Sequence, residues 1–241
     1  MKQNQAFSLV YEDAHIVVVN KASGIAVGGD RWDSSKDRLD RLLAPVWVVH
    51  RIDKDTSGLV VFAKDAGTHK NLSCAFEQHK VNKTYHAIVN GRPSWKETSC
   101  ELPLVVDGDK QHRTIVDKYQ GKKALTHCKV LSFAGNYSVV ELRPQTGRTH
   151  QIRVHLASLG HPVVCDPLYG TMKPVYLSQF KRAWHGDLAR ERPLLSRLGL
   201  HASSLQIPGY DVFNAPLSRD MQALFAQMNK WGYRFNYTCE H

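Results

Sequence analysis

Apolar runs are short throughout this 241-residue chain. Leu59-Val60-Val61-Phe62-Ala63 is representative, far below the roughly 20 residues that a membrane-spanning helix needs. The first residues, Met1-Lys2-Gln3-Asn4-Gln5, lack the apolar core of a signal peptide, so a soluble cytoplasmic protein is expected. Cysteine is sparse as well. Cys74, Cys100, Cys128, Cys165 and Cys239 are odd in number and scattered, with no pair at zinc-ribbon or redox spacing. That pattern argues against a disulfide framework and predicts reduced, buried thiols. Cys165, beside Asp166, is a candidate nucleophile weighed against a buried structural thiol, the commoner case. Also missing are a glycine-rich phosphate loop, a flavin fingerprint, a metal-ligand cluster, internal repeats and low-complexity segments.

Acid is in deficit: 22 Asp and Glu stand against 32 Lys and Arg, a formal charge of +10 with a pI near 9.4. Such a surplus favours a polyanionic partner through phosphate contacts and counterion release. An anionic membrane would suit the charge too, but no basic amphipathic stretch or lipidation motif supports it. Nucleic acid is therefore favoured, and no membrane association is expected. A hydrophobic content of 42% suffices for a substantial core.

One polar stretch organises the rest. His50-Arg51-Ile52-Asp53-Lys54-Asp55-Thr56-Ser57-Gly58 lies between the apolar segments Pro45 to Val49 and Leu59 to Ala63, which predicts a loop pinned between buried elements. Such loops commonly carry chemistry. A plain turn closed by Asp55, Thr56, Ser57 and Gly58 is the bland reading, and it leaves the crowding of Arg51, Asp53 and Lys54 unexplained.

Elsewhere, Ile16-Val17-Val18-Val19 reads as a strand covered on both faces and fed by a turn over 9–15. Residues 28–41 are charge-dense, with a helix expected from Ser34 or Ser35 and candidate phosphate contacts at Arg31, Lys36, Arg38 and Arg41. Ala66 to Lys80 has helical spacing at Leu72, Ala75 and Phe76. Lys83 to Gly91 alternates as a strand, and Ala134-Gly135-Asn136 marks a hairpin. From Thr146 to Pro162, Ile152, Leu156 and Leu159 predict a short helix with Thr149 as N-cap and Gly160 as stop. Its N-terminus would present amides and basic side chains to an anion. Residues 171–199 are basic and irregular, and Met221, Leu224, Phe225 and Met228 mark a last helix. Many short strands without regular strand-helix alternation suggest α+β with a mainly antiparallel sheet.

The stretch from His50 to Gly58 resembles the signature of the RluA-type pseudouridine synthases. So do Lys83-Thr84-Tyr85-His86-Ala87-Ile88-Val89-Asn90-Gly91, the Thr146 to His155 stretch, and Asp166-Pro167-Leu168-Tyr169-Gly170. The resemblance covers about residues 9–228 and departs at Ala22, where proline is usual. It implies a single catalytic domain over 1–241 without the basic S4-type module that some members carry. It implies a bent mixed sheet with flanking helices and a central cleft.

By this resemblance Asp53 is the catalytic carboxylate, Tyr85 lines the uridine pocket, and Arg153 salt-bridges Asp53, with Arg148 the competing arginine. A generic exposed basic helix is the alternative for that third stretch, and it predicts no aspartate within hydrogen-bonding distance of either arginine. Arg51 would fill the space that the extruded uridine vacates, and His50 would order the loop. Thr56, Arg148 and His150 complete the candidate RNA contacts. The implied partner is ribosomal or transfer RNA, acted on by a monomer without cofactor or metal. A carboxylate at position 53 has two available roles: nucleophile on the ring or ribose carbon, or base taking the ribose 2′-hydrogen. Two other classes compete. One is a nuclease using Asp53 and Asp55 as a divalent-metal pair; the other is an inactive RNA-binding module of the same fold.

Overall fold

The structure is a computed structural model that describes residues 6–28, 45–181 and 183–231. The expected helix near Ser34 and the candidate contacts Arg31, Lys36, Arg38 and Arg41 lie outside the described residues. The chain divides into two compact units, one running to Tyr85 and including His201–Leu217, the other comprising His86–Leu200 and the chain from Ser218. Both mix helices with mainly antiparallel strands, the expected α+β class.

The first unit is built on β4 (Ser57–Ala63), in which every residue is buried. Along one edge it pairs antiparallel with β2 (Ile16–Lys21), itself paired with β1 (Phe7–Glu12). The strand Phe7–Glu12 occupies ground expected to be only a turn. A register shift between Leu9 and Tyr11 breaks its alternation, and the turn itself is Asp13, whose carboxylate accepts from the amides of His15 and Ile16 at 2.7 Å. Two short contacts share the other edge of β4. β3 (Trp47–Val48) pairs antiparallel at Phe62 and Ala63, and β11 (Leu200–Gln206) pairs parallel at Ser57 and Gly58.

Both faces of this sheet are covered, which explains the unbroken β-branched run. Ile16, Val18, Leu59 and Val61 pack with Leu72, Leu205 and Phe213 on one side. Val17, Val19, Val60 and Phe62 pack with Val27, Val46 and Ile52 on the other. Leu72 belongs to α1 (Ala66–Glu77), capped by Asp65, which accepts from the Thr68 amide at 2.8 Å. The helix stops at Glu77, three residues short of the expected Lys80, and His79 then takes the left-handed conformation at φ 55°.

Gly58 is fixed by close approach. Its φ is +116°, and a β-carbon there would stand 2.2 Å from the Ala202 carbonyl oxygen. Because that neighbour is backbone of a paired strand, Gly58→Ala is expected to cost about 3 kcal/mol, read as a lowered denaturation midpoint. A loss below about 1 kcal/mol would mean that β4 and β11 separate easily.

In the second unit β5 (Asn82–Asn90, from His86 onward) lies beside β10 (Tyr137–Pro144), followed by β9 (Thr126–Ala134) and β6 (Glu97–Cys100). β9 and β10 form the expected hairpin, turning at Gly135 (φ 56°) and Asn136. A two-stranded ribbon, β7 (Leu104–Val105) and β8 (Ile115–Val116), stands apart from that sheet. α2 (Gln151–Ser158) and α3 (Arg219–Trp231) complete the unit, and α3 buries Met221, Leu224, Phe225 and Met228 as its spacing predicts.

Among its described residues the basic segment 171–199 holds the short 3-10 turns Leu177–Gln179 and Leu188–Arg190, and Val175 bridges to Leu195. Not all its charges face outward: Arg197 pairs bidentately with Asp220 at 2.7 Å. At the foot of the segment the Cys165 thiol donates to the Lys173 and Leu195 carbonyls. Burial pushes this thiol up to about 11. It stays protonated at neutral pH, which removes the nucleophile reading.

Candidate active site

The stretch between β3 and β4 is a loop, as expected, and three anchors hold it. The first is His50. Where β3 leaves the ladder, the His50 Nε2 accepts from the Val61 amide at 3.1 Å, and its ring stacks on Phe76 at 4.5 Å. An amide of a wholly buried strand would otherwise be orphaned at a cost of about 1–3 kcal/mol. Burial, with a contribution from the Lys83 charge, pushes His50 down to about 3, so the ring is neutral and free to accept. His50 thus has the loop-ordering geometry expected of it.

The second anchor is Lys21, fully buried at the end of β2. Its Nζ donates to the carbonyls of Ala22, Ile25 and Lys54 at 2.9, 2.7 and 2.9 Å, using all three ammonium donors on backbone. The third is the turn after β2, where the Gly24 amide donates to Lys54 O at 2.9 Å and Ser23 Oγ to Asp55 O at 2.6 Å. Two carbonyls of the loop are thereby bound to a strand end, and Asp53 sits immediately before them.

Asp53 itself opens a turn closed by the Thr56 amide on its carbonyl at 3.1 Å. The strand does not run through 53–55, so the alternation that would align Asp53 and Asp55 on one face is absent. Ile52 points into the core beneath, Arg51 is exposed and Asp53 is half-buried. Tyr85 packs against the Ile52 cluster. Burial first, and then the negative charge of Asp53, raise its phenol above the ordinary range, which places the two side chains in electrostatic reach of each other. The phenol is therefore protonated at neutral pH.

Two further groups complete this part. The Ser57 hydroxyl bonds the buried His201 Nδ1 at 2.9 Å. The Thr56 hydroxyl is buried and has no hydrogen-bond partner among the described residues.

The second unit contains its own cluster around α2. The helix starts one residue later than expected: His150 is the N-cap, in the left-handed conformation (φ 55°, ψ 15°), with no side-chain cap. Gln151 explains why Thr149 is not needed. Its Oε1 accepts from Thr146 Oγ1 and the Arg148 amide, while Nε2 donates to Leu125 O and Thr126 Oγ1. One buried amide side chain fixes the whole Thr146–Gln151 loop to β9. His150 Nδ1 lies 2.9 Å from the Tyr169 hydroxyl, and Arg148 Nε donates to Lys123 O at 3.3 Å.

Arg153 is 2% exposed and grips Asp166 with two bonds of 2.7 Å from Nε and NH2. An exposed basic helix is thereby excluded. Asp166 is 0% exposed. Burial pushes it up, but the Arg153 hydrogen bonds and charge and the Leu168 and Tyr169 amides outweigh burial and hold it below the usual carboxylate range. The Tyr169 ring backs the guanidinium at 5.2 Å, and its hydroxyl accepts from the Thr114 amide at 2.9 Å. The sequence reading singled out Arg153 and the Asp166–Gly170 stretch separately; their direct pairing is what it missed, along with the Lys21 clamp and the Ser57–His201 bond.

Comparison with known proteins places this geometry. Residues 15–158 match the family model described as RNA pseudouridylate synthase. Ribosomal large subunit pseudouridine synthase D of Zymomonas mobilis is 36% identical over 94% of this chain and 74% of its own length. The dual-specificity RNA pseudouridine synthase RluA of Vibrio cholerae is 35% identical over 90% and 81%. Among solved structures, human RNA pseudouridylate synthase domain containing 4 superposes with a TM-score of 0.74 at 25% identity, covering 95% of both chains. The chain belongs to the RNA pseudouridylate synthase family and is of its RluA type.

Proposed function

We propose that Asp53 is the carboxylate with which this isomerase converts uridine to pseudouridine in ribosomal or transfer RNA. The observation that carries the assignment is the rigid presentation of Asp53: its loop is bound through the Lys54 carbonyl to a fully buried lysine, and its charge bears on the Tyr85 phenol. Ribosomal RNA is supported by one relative's name as a ribosomal large subunit synthase, and more than one RNA by another's name as a dual-specificity RNA pseudouridine synthase.

The reaction breaks the bond from ribose C1′ to N1 of uracil and forms the bond from C1′ to C5; N1 gains a proton and C5 loses one. No electrons enter or leave, so the step needs no redox partner. Asp53 engages the nucleoside, and Tyr85 packs on the base. In its resting protonated state the phenol is a hydrogen-bond donor; taking up the C5 proton would require it first to lose its own. Within the second unit Asp166 holds Arg153, the arginine of the third motif. Release of tritium from RNA labelled at uracil C5, with RNA length unchanged in excess EDTA, tests this reading against both a nuclease and a binding module.

Arg51 is exposed beside Asp53, as a side chain entering the vacated stack must be. Arg51→Ala is expected to slow turnover about tenfold or more on structured RNA and less on a flexible strand. Unstacking costs a few kcal/mol only where a stack exists. Equal losses on both substrates would remove Arg51 from base extrusion.

A further inference from the structure

The β7–β8 ribbon and the turn after it present a side chain that the fold does not use. Tyr119 is 98% exposed, yet its backbone is tightly held. The Asp117 carboxylate accepts from the Tyr119 and Gln120 amides at 2.8 and 3.0 Å, and the Gly121 amide donates to Asp117 O at 3.0 Å. Asp117 in turn donates its amide to Pro103 O at 3.1 Å, and a β-carbon on Gly121 would collide with the Asp117 carbonyl at 2.2 Å. A rigid turn that holds an aromatic ring wholly in water contributes nothing to the core. It is the geometry of a preorganised contact.

The surroundings indicate what the ring meets. Lys118 and Lys122 flank it, with Lys110 and Lys123 nearby in the chain, all exposed and none with a carboxylate partner among the described residues. The acids of this segment are already engaged: Asp109 with Arg113, Asp107 with His112 and Asp117 with the turn. An aromatic face among unpaired lysines fits a nucleic-acid strand, with a base on the ring and phosphates on the ammonium groups.

The ribbon is also fastened to the Arg153 cluster. Leu104 and Val116 pack with Val154 of α2 and with Tyr169, the Thr114 amide donates to the Tyr169 hydroxyl, and Arg113 donates to Leu168 O at 3.1 Å. Tyr119 therefore stands in a fixed relation to Arg153, within one unit.

We propose that Tyr119 is a stacking platform for an unpaired base of the substrate RNA, with Lys118 and Lys122 on the adjoining phosphates. The inference rests on RNA being the substrate. Its test uses a transcript, labelled at uracil C5, that the wild-type protein modifies; if no ribosomal or transfer transcript releases tritium with wild-type protein, the proposed function itself fails.

With wild-type turnover in hand, Tyr119→Ala is expected to raise KM and the Kd for RNA about tenfold, leaving kcat and the melting temperature near wild type. Tyr119→Phe and Tyr119→Trp should bind as wild type, because they keep a flat ring. Lys118→Gln combined with Lys122→Gln should lower the salt slope of log K by roughly one to two units. Wild-type affinity in Tyr119→Ala, or an equal loss in Tyr119→Phe, overturns the stacking role.

Discussion

Replacing Asp166 by alanine is expected to remove about 3–5 kcal/mol of stability, the cost of leaving one member of a buried ion pair without the other. Arg153 is 2% exposed and Asp166 0%, so water cannot replace the lost carboxylate. The Leu168 and Tyr169 amides lose their acceptor at the same time. Chemical denaturation measures the loss directly, and a change under 1 kcal/mol would show that Arg153 finds another anchor.

The same pair sets an acid limit. Asp166 titrates below the ordinary range in the folded protein, so its contribution is fully present above its unfolded value near pH 4. It is lost as the pH falls through the lower folded value. Asp166→Ala should accordingly flatten the acid limb of the stability profile, whereas wild type should lose stability steeply there. Activity should fall with stability, because Asp166 positions the Arg153 guanidinium by two bonds from one edge.

Local pattern made some of this legible and geometry made the rest. Four consecutive β-branched residues announced β2, and the Gly135-Asn136 turn announced its hairpin, because both depend on neighbours in sequence. β1 escaped notice because a register shift between Leu9 and Tyr11 spoils its alternation. The parallel pairing of β11 with β4 joins His201 to Ser57, a separation no window of sequence spans.

At the site, His50 to Gly58 stood out because its polarity clashes with its apolar flanks. Lys21 did not. A lysine closing a strand reads as solvated, and only the three carbonyls converging on it reveal a buried clamp. Thr149 was the obvious cap by residue type, but Gln151 satisfies the loop from inside the helix and displaces it. The pairing of Arg153 with Asp166 crosses only thirteen residues. It was hidden because Asp166 also reads as a plain turn former ahead of Pro167.

Asp53→Ala carries the largest effect on activity. A carboxylate that engages the reacting nucleoside is not replaced by its neighbours: the Tyr85 phenol is protonated, and Asp55 lies in a loop without the strand alternation that would put it on the face of Asp53. Alanine at 53 leaves the Lys21 clamp, the Lys54 carbonyl and the Thr56 turn intact, because these use backbone oxygens, so folding and RNA affinity should stay near wild type. The decisive measurement is tritium release from 5-labelled RNA by Asp53→Ala beside wild type, with RNA binding measured on the same transcript. Full release by wild type, none above background by the variant and a Kd within about twofold are predicted. Appreciable release by the variant would place the chemistry on another residue.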